Sequence, residues 1–172
     1  MKKLIMLCLL SFFFLYGSAF GSFNFIDNGN GTVTDARTGL VWLKNANPCD
    51  YKNWYEAGTY CASLANGQAG LTDGSVAGDW RLPSIEELEG IGTDPPITYC
   101  IDDPSCTYME CPVTWTKPGT PFTGVQSYYY WSGTSYAYST DYAWYVYMGN
   151  GNVFYISKSD YYVYVWPVRG GN

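Results

Sequence analysis

Short apolar runs alternate with turn residues in the first part of the chain after residue 22. Residues 23–26 and 32–34 predict two strands, and residues 28–31 predict the turn between them, because Asn and Gly tolerate positive φ. A second turn over residues 35–39 leads into residues 40–43, an apolar run that predicts a buried strand. Antiparallel β structure is therefore expected here.

Helical spacing of apolar side chains follows over residues 54–65. Trp54, Ala57, Cys61 and Leu64 recur three or four positions apart, which predicts a helix with one buried stripe.

A second helix is predicted to begin after Ser84. Ser84 and Glu87 form an S-x-x-E capping box, in which each side chain accepts a hydrogen bond from the backbone N–H of the other residue. The predicted inward face consists of Ile85, Leu88 and Ile91.

The C-terminal segment differs in composition, since residues 126–172 carry 12 of the 18 tyrosines and four charged residues. Residues 143–148 alternate with a period of two, so Trp144 and Val146 are expected on one face and Tyr145 on the other. The rest of the predicted antiparallel sheet is a turn over residues 149–152, a strand over 153–156 with Phe154 and Ile156 inward, and a strand over 162–168.

A strand of period two buries only one face, so many tyrosines of this segment are expected on the exposed face. Ser, Gly, Asn and Asp fill the gaps between them. Tyr combined with such small polar residues is the composition of protein binding surfaces, and exposed aromatic clusters tend to mark interaction sites. We therefore interpret the segment as a ligand-binding surface rather than an inert sheet.

The composition excludes several classes of site. The chain of 172 residues has no His, which rules out nucleophiles activated by imidazole and His-ligated zinc or haem. Its formal charge of −6 speaks against nucleic acid as a partner, because phosphates demand clustered Lys and Arg. Charged residues are 14% and aromatic residues 19%, the reverse of a disordered chain. One folded domain is expected.

Residues 1–21 have the features of a secretory signal peptide. Lys2 and Lys3 precede an apolar run over residues 4–16, and small residues follow it. The run is shorter than the about 20 apolar residues of a membrane span, although an uncleaved signal anchor is the alternative. The folded domain is therefore expected to cover residues 22–172 of a protein that is secreted or displayed on the cell surface.

Export would place the remaining cysteines in an oxidising compartment, where disulfides persist. Cys49 and Cys61 flank the predicted loop and helix and are expected to pair, which typically contributes about 3 kcal/mol. Of Cys100, Cys106 and Cys111, two can pair and one is left over. A thiolate metal site is the rival interpretation, but these cysteines contain no CxxC.

Several acidic side chains have the chemistry of calcium ligands or catalytic carboxylates, but simpler roles account for them. Asp27, Asn30 and Asp35 lack the spacing of an EF-hand, and turn chemistry explains each of them. Glutamates of a short helix more often face solvent than act as a catalytic pair. The carboxylates in question are Glu86, Glu87 and Glu89, and Asp102 with Asp103. We expect no enzyme activity, metal or cofactor.

Several motifs in order resemble those of the Lcl C-terminal domain family, named for the end domain of a bacterial collagen-like adhesin. They cover residues 31–35, 38–42, 80–88, 130–134, 143–146 and 167–171. The resemblance implies an α+β, C-type-lectin-like fold, with two helices packed on a mostly antiparallel sheet and, here, long disulfide-stapled loops. It also implies a role in adhesion or recognition, and it supplies no catalytic residues.

The resemblance does not specify the ligand. Some relatives bind sulfated polysaccharides, but the tyrosine-rich segment here has only Lys158 and Arg169 as cations. Family members often have Arg where Trp166 stands, which weakens an anionic ligand further. The calcium-dependent sugar motifs of true C-type lectins are absent from the sequence. An extracellular protein or a glycan both stay open as ligands.

Other proteins with the implied fold are diversified by retroelements that mutate adenines in the codons of a C-terminal segment. Asn, Tyr, Ser and Asp are the residues that such mutagenesis favours, and this segment is rich in them. We therefore predict a variable binding surface, whose ligand-contacting residues are Tyr136, Tyr138, Tyr142, Tyr145, Tyr147, Tyr155, Tyr161 and Tyr162. The alternative is a structural subunit of a surface appendage that self-assembles through its tyrosine-rich face.

Overall fold

The computed structural model describes residues 25–91 and 120–170, which form an α+β domain with two antiparallel sheets. One sheet has the strand order β1-β2-β3-β7 and the other β4-β5-β6. The elements are β1 (Phe25–Asp27), β2 (Thr32–Asp35), β3 (Val41–Leu43), α1 (Trp54–Ser63), α2 (Ile85–Gly90), β4 (Tyr129–Ser135), β5 (Tyr142–Tyr147), β6 (Asn152–Ser157) and β7 (Val168–Arg169).

The predicted antiparallel structure at the start of the domain is confirmed. β1 pairs with β2 and β2 with β3. In the turns, the side chains of Asp27, Asn30 and Asp35 each accept a hydrogen bond from the backbone N–H two residues later. Gly31 in the first turn has a φ of +85° and lies against the backbone of Gly70, where a Cβ atom would collide. The turn between β1 and β2 therefore docks on the loop after α1 and requires glycine at this point.

Helix α1 begins as predicted at Trp54 but ends at Ser63, because Leu64 has an extended backbone. Its N-terminus carries a second capping box, in which Asn53 and Glu56 bond reciprocally. Ala57, Cys61 and Leu64 are buried, whereas Trp54 is half-buried and donates its indole N–H to the Ser132 carbonyl at 2.8 Å.

Helix α2 has the predicted capping box of Ser84 and Glu87 and the predicted buried face. Glu87 also accepts two hydrogen bonds from the Arg81 guanidinium, at 2.6 and 2.7 Å. Arg81 in turn donates to the Gly170 carbonyl at 3.0 Å. Burial acts to raise the pKa of Glu87, but the bonds from Arg81 and the Ser84 backbone outweigh it and lower the pKa. Arg81 thus links the N-terminal cap of α2 to Gly170, the residue that follows β7.

The C-terminal sheet has β5 and β6 as predicted, but its third strand is β4 and not residues 162–168. That prediction was wrong, because Val163 and Tyr164 form isolated bridges and Val168 pairs with Trp42 of the other sheet. β4 was missed because its burial is continuous from Tyr130 to Ser132 and its register shifts before Ser135, so no alternation marks it. Phe154, predicted inward, is 49% exposed.

The two helices cover opposite faces of the β4-β5-β6 sheet. Tyr130, Val146 and Met148 share a buried cluster with Ile85 and Leu88 of α2. Trp131 and Ala143, on the other face, share a second cluster with Ala57 and Cys61 of α1. Successive residues of each strand thus enter different clusters, as the period of two requires. Both faces of this sheet are buried near the helices.

Cys49 and Cys61 are both free thiols in the structure and pack in the second of these clusters. Burial, and then the charge of Cys49, raise the pKa of Cys61 to about 12. Their disulfide stays a prediction, as does the C-type-lectin-like assignment.

Predictions made for residues 1–21 and for Cys100, Asp102, Asp103, Cys106 and Cys111 lie outside the described residues. Within the described ranges, every helix is too short or too polar to cross a membrane.

Glu87→Gln should lower the free energy of unfolding by about 1–2 kcal/mol near neutral pH, because the amide weakens the Arg81 bonds and the helix cap. Since the folded state lowers the pKa of Glu87 from 4.5, its contribution is present above that value and is lost as the pH falls through the folded value. Denaturant unfolding near pH 7 and near pH 3 should therefore show the difference shrinking in acid.

Glu89→Gln is the matched control for this prediction, because Glu89 is an exposed carboxylate on the same helix. It should change the unfolding free energy by less than about 0.5 kcal/mol. If Glu87→Gln lowered the free energy of unfolding by the same amount at both pH values, the charge-based explanation would be contradicted.

Candidate functional site

Exposed aromatic rings lie on both faces of the β4-β5-β6 sheet, beyond the areas that the helices cover. The pairing register sorts them: Trp144 of β5 lies opposite Tyr155 of β6, and the next pair is Tyr145 opposite Phe154. Because successive side chains of a strand point to opposite faces, these two pairs belong to different surfaces.

The first surface, here called the stacked cluster, consists of Tyr136, Tyr138, Tyr142, Trp144 and Tyr155. The rings of Tyr136 and Tyr155 stack with centroids 3.9 Å apart and planes 6° from parallel. Trp144 meets both rings edge-on at 5.4 Å. Tyr142 and Tyr138 continue the cluster at its margins, and the side chain of Tyr138 is 89% exposed.

The second surface, here called the tyrosine strip, crosses the other face of the same sheet. Its rings contact one another in an unbroken series, with centroids 4.4–6.1 Å apart. Such separations are those of favourable aromatic pairs. The members are Tyr51, Tyr128, Tyr129, Tyr145, Tyr147, Phe154 and Tyr164.

The tyrosine strip packs on the core through its central rings and is exposed to solvent at its ends. Tyr129 and Tyr145 are half-buried and pack on the core cluster that α1 covers. Tyr51 and Tyr128, at one end, are 47% and 42% exposed, and Phe154 at the other end is 49% exposed. The strip therefore presents ring faces and edges whose positions are fixed by the core.

Hydroxyl groups are also held in place at the strip. The Tyr51 hydroxyl donates a hydrogen bond to the Tyr164 hydroxyl at 3.0 Å, and this bond, followed by partial burial, raises the pKa of Tyr164 to about 12. Burial, followed by nearby Tyr129 and Tyr161, raises the pKa of Tyr145. These phenols consequently stay neutral at physiological pH.

The eight tyrosines predicted as one binding surface are divided by the fold. Four lie in the stacked cluster: Tyr136, Tyr138, Tyr142 and Tyr155. Tyr145 and Tyr147 lie in the tyrosine strip. Tyr161 and Tyr162 lie in the loop after β6, where both are more than half exposed; Tyr161 is close enough to Tyr145 to affect its pKa.

Five members of the strip were not among the predicted site residues. Tyr129 stands two positions before Trp131 and shares its face of β4, but this strand has no alternation that would have shown it. Tyr51 and Tyr164 had no local signal either, since they reach the strip from segments 113 residues apart in the chain. Tyr128 and Phe154 complete the set.

Basic side chains in the described part of the chain are engaged in intramolecular contacts. The four ion pairs are Arg37 with Asp35, Lys44 with Asp27, Arg81 with Glu87 and Arg169 with Asp73. Lys52 lies 5.8 Å from the ring centre of Tyr60. Lys158 is buried, donates to the Ser135 hydroxyl at 2.6 Å and lies 4.0 Å from the Trp54 ring centre. The exposed surface of these residues therefore offers a ligand few free cations.

Several exposed carboxylates, in contrast, have no ion-pair partner among the described residues. Asp50 lies close enough to Tyr164 to raise its pKa. Asp160 accepts hydrogen bonds from the hydroxyls of Ser157 and Ser159 and directly precedes Tyr161. The others are Glu56, Asp79, Glu86, Glu89 and Asp141.

The turn oxygens weighed as calcium ligands are used locally. Asp27 accepts from the Gly29 N–H and from Lys44, and Asp35 accepts from Arg37. Within residues 25–91 and 120–170, His, Cys, Asp and Glu form no group of three that could hold a metal.

Comparison with known proteins identifies the family. The model of the Lcl C-terminal domain matches residues 31–169, and the chain belongs to this family. The resemblance predicted from the motifs is thereby confirmed. No curated protein matches the chain.

Tyr145→Ala should lower the free energy of unfolding by about 1–2 kcal/mol, because the half-buried ring supports Tyr129, Phe154 and the core beneath them. Tyr138→Ala, which removes a side chain that is 89% exposed, should cost less than about 0.5 kcal/mol. Urea unfolding of both variants measures this. Equal losses would mean that the two tyrosines do not differ in structural role.

Proposed function

We propose that this member of the Lcl C-terminal domain family is an exported adhesion module that holds an extracellular ligand on the aromatic surfaces of its β4-β5-β6 sheet. The observation that carries the proposal is the continuous, solvent-open series of rings in the tyrosine strip. Contiguous exposed aromatic patches of this kind are uncommon on monomers that bind nothing. Catalysis is no part of the proposal.

The composition of the surface also supports recognition. Tyrosine provides a large contact area with few rotatable bonds, so little entropy is lost when it contacts a ligand. The ring contacts within the strip order these side chains further before a ligand arrives. Pre-ordering of this kind raises affinity by reducing the entropic cost of association.

Diversification of the segment is part of the proposal. Tyr138, Tyr142 and Tyr155 are exposed, so many side chains could replace them without disturbing the core. Trp131 of β4 and Val146 of β5, in contrast, are fully buried. A retroelement could therefore vary the first set and must leave the second unchanged.

Sequencing the gene from many cells of one population should show substitutions concentrated in the codons of the exposed tyrosines. Trp131 and Val146 should be invariant, because their replacement would open cavities costing about 3–5 kcal/mol for Trp and less for Val. An invariant segment would overturn diversification and leave an adhesin with one dedicated ligand.

Binding itself is tested by screening the exported protein against glycans and extracellular proteins. Tyr128→Ala with Phe154→Ala should weaken a hit at the strip by at least about tenfold, because two of the three most exposed rings of the strip are lost. Tyr136→Ala with Tyr138→Ala is the matched pair in the stacked cluster. A hit that neither pair weakens would contradict recognition by these surfaces.

Self-assembly as a structural subunit is the second candidate, favoured by the edge position of β6. Among residues 25–91 and 120–170, β6 pairs with β5 alone, and its residues 152–157 carry no charge or proline to block a further strand. Its side chains include the exposed Phe154 and Tyr155, which could contact a second copy.

Phe154→Lys should abolish any such assembly, because a lysine on an edge strand opposes pairing with another strand. Light scattering across about a hundredfold range of protein concentration should show mass growth in the unchanged chain and a constant monomer in the variant. Tyr161→Lys, on the loop beyond β6, is the control. A single monomeric mass for the unchanged chain would rule out the structural role.

A further inference from the structure

We propose that the tyrosine strip binds extended protein segments that carry arginine, with guanidinium groups stacked on the rings and neutralised by Asp50 and Asp160. The inference rests on the proposed function and specifies its ligand. It follows from the geometry of the rings and from where the described part of the chain has unpaired charge.

The rings offer the right surface for a planar cation. Tyr51 and Tyr164 lie with centroids 4.5 Å apart, and Tyr128 lies 6.1 Å from each of them. The π face of an aromatic ring is negative and attracts a cation within about 6 Å. Arginine stacks on such faces better than lysine does, because its guanidinium is planar and weakly hydrated.

One carboxylate lies at the Tyr51 end of the strip, and a second lies where the chain leaves β6, the strand that carries Phe154. Asp50 directly precedes Tyr51 and acts on Tyr164, whereas Asp160 accepts a hydrogen bond at 2.8 Å from Ser157, the last residue of β6. Both aspartates are exposed and lack an ion-pair partner among the described residues. Two arginines of one extended segment could therefore each find a ring and a carboxylate.

Most basic side chains of the described residues are already engaged in contacts within the domain. Lys158 is the cation of the tyrosine-rich segment nearest in sequence to Asp160, and it is buried against Trp54 and bonded to Ser135. Arg169 pairs with Asp73. Lys52, next to Tyr51, has no ion pair in the described residues and lies 5.8 Å from the Tyr60 ring centre. Since the unpaired carboxylates of Asp50 and Asp160 outnumber it, charge complementarity favours a basic partner over an anionic one.

An extended segment also fits the shape of the site. The strip runs across three strands and continues onto the Tyr51 loop, so it is long and narrow rather than a closed pocket. In an extended chain alternate side chains point the same way about 6.6 Å apart, close to the 4.4–6.1 Å spacing of neighbouring rings. A peptide with arginine at alternate positions can thus match the rings.

The test uses the exported chain and a fluorescent peptide of alternating Arg and Ser, with anisotropy as the readout. A peptide of equal length with citrulline for arginine keeps the planar shape and removes the charge. We expect the arginine peptide to bind at least about tenfold more tightly than the citrulline peptide, and added salt to weaken it. Equal binding of both peptides, or none of the arginine peptide, overturns the inference.

Variants separate a specific site from general attraction to an acidic protein. Tyr51→Leu with Tyr128→Leu keeps apolar area but removes two ring faces, and should weaken the arginine peptide about tenfold. Asp50→Asn with Asp160→Asn should weaken it several-fold. Glu86→Gln with Glu89→Gln removes the same charge from α2 and should leave the affinity for the arginine peptide unchanged.

Two outcomes with these variants would overturn the proposed site. One is an equal loss of affinity for the arginine peptide in the Glu86/Glu89 variant and the Asp50/Asp160 variant, which would mean non-specific attraction to an acidic protein. The other is unchanged binding by the Tyr51 and Tyr128 variant. Thermal midpoints close to that of the unchanged chain show that each variant is folded.

A neutral oligosaccharide, run in parallel, distinguishes this inference from the proposed function. If the oligosaccharide binds in a manner that requires Tyr51 and Tyr128 while the arginine peptide does not bind, the strip is a recognition site but not one for basic segments. If strip variants change the binding of no peptide, glycan or protein in the screen, the inference and the strip's role in the proposed function both fail.

Discussion

Trp166 holds the two sheets of the domain together. Its indole N–H donates to the Leu43 carbonyl at 2.9 Å in a fully buried bond, and its ring contacts Trp42, Phe122 and Tyr130 at 4.9–5.8 Å. On either side of it, Tyr164 bridges to β4 and Val168 pairs with β3. Tyr164 thus pairs with the edge of β4 that faces away from β5. At the opposite side of this sheet, β6 pairs with β5 alone among the described residues and carries the exposed rings of Phe154 and Tyr155.

This arrangement explains which parts of the fold the sequence could predict. The turns and both helix caps depend on residues within about five positions of one another, so local chemistry sufficed for Ser84 and Glu87. The bond from Trp166 to Leu43 spans 123 residues, and no local pattern shows that residues 162–168 leave their neighbouring strand for the other sheet. The sequence did not predict β4 for a different reason: both faces of this strand are buried at its centre, so apolar and polar residues do not alternate along it.

The site divides in the same way between local and distant information. Composition identified the tyrosine-rich segment, but the register of β5 and β6 decides that Tyr145 and Tyr155 point to opposite faces. Composition alone therefore predicts one tyrosine surface, whereas the structure places these side chains on two faces of the sheet. Tyr51 illustrates the further limit: it precedes α1 in the sequence and reaches the strip only because Lys52 pairs with Val163. Contact between such distant segments is set by tertiary structure.

The surface charge at the strip is a consequence of how the fold uses its cations. Arg37 and Lys44 pair with turn carboxylates, and Arg81 completes the cap of α2. Because these cations stabilise the scaffold, they are not free to attract an anionic ligand, whereas Asp50 and Asp160 are left without such partners in the described residues. A domain of this family that displayed free arginines beside the same rings would select ligands of the opposite charge. In the binding mode proposed above, the rings would supply contact area in both cases, and the placement of a few charged side chains would decide the class of ligand.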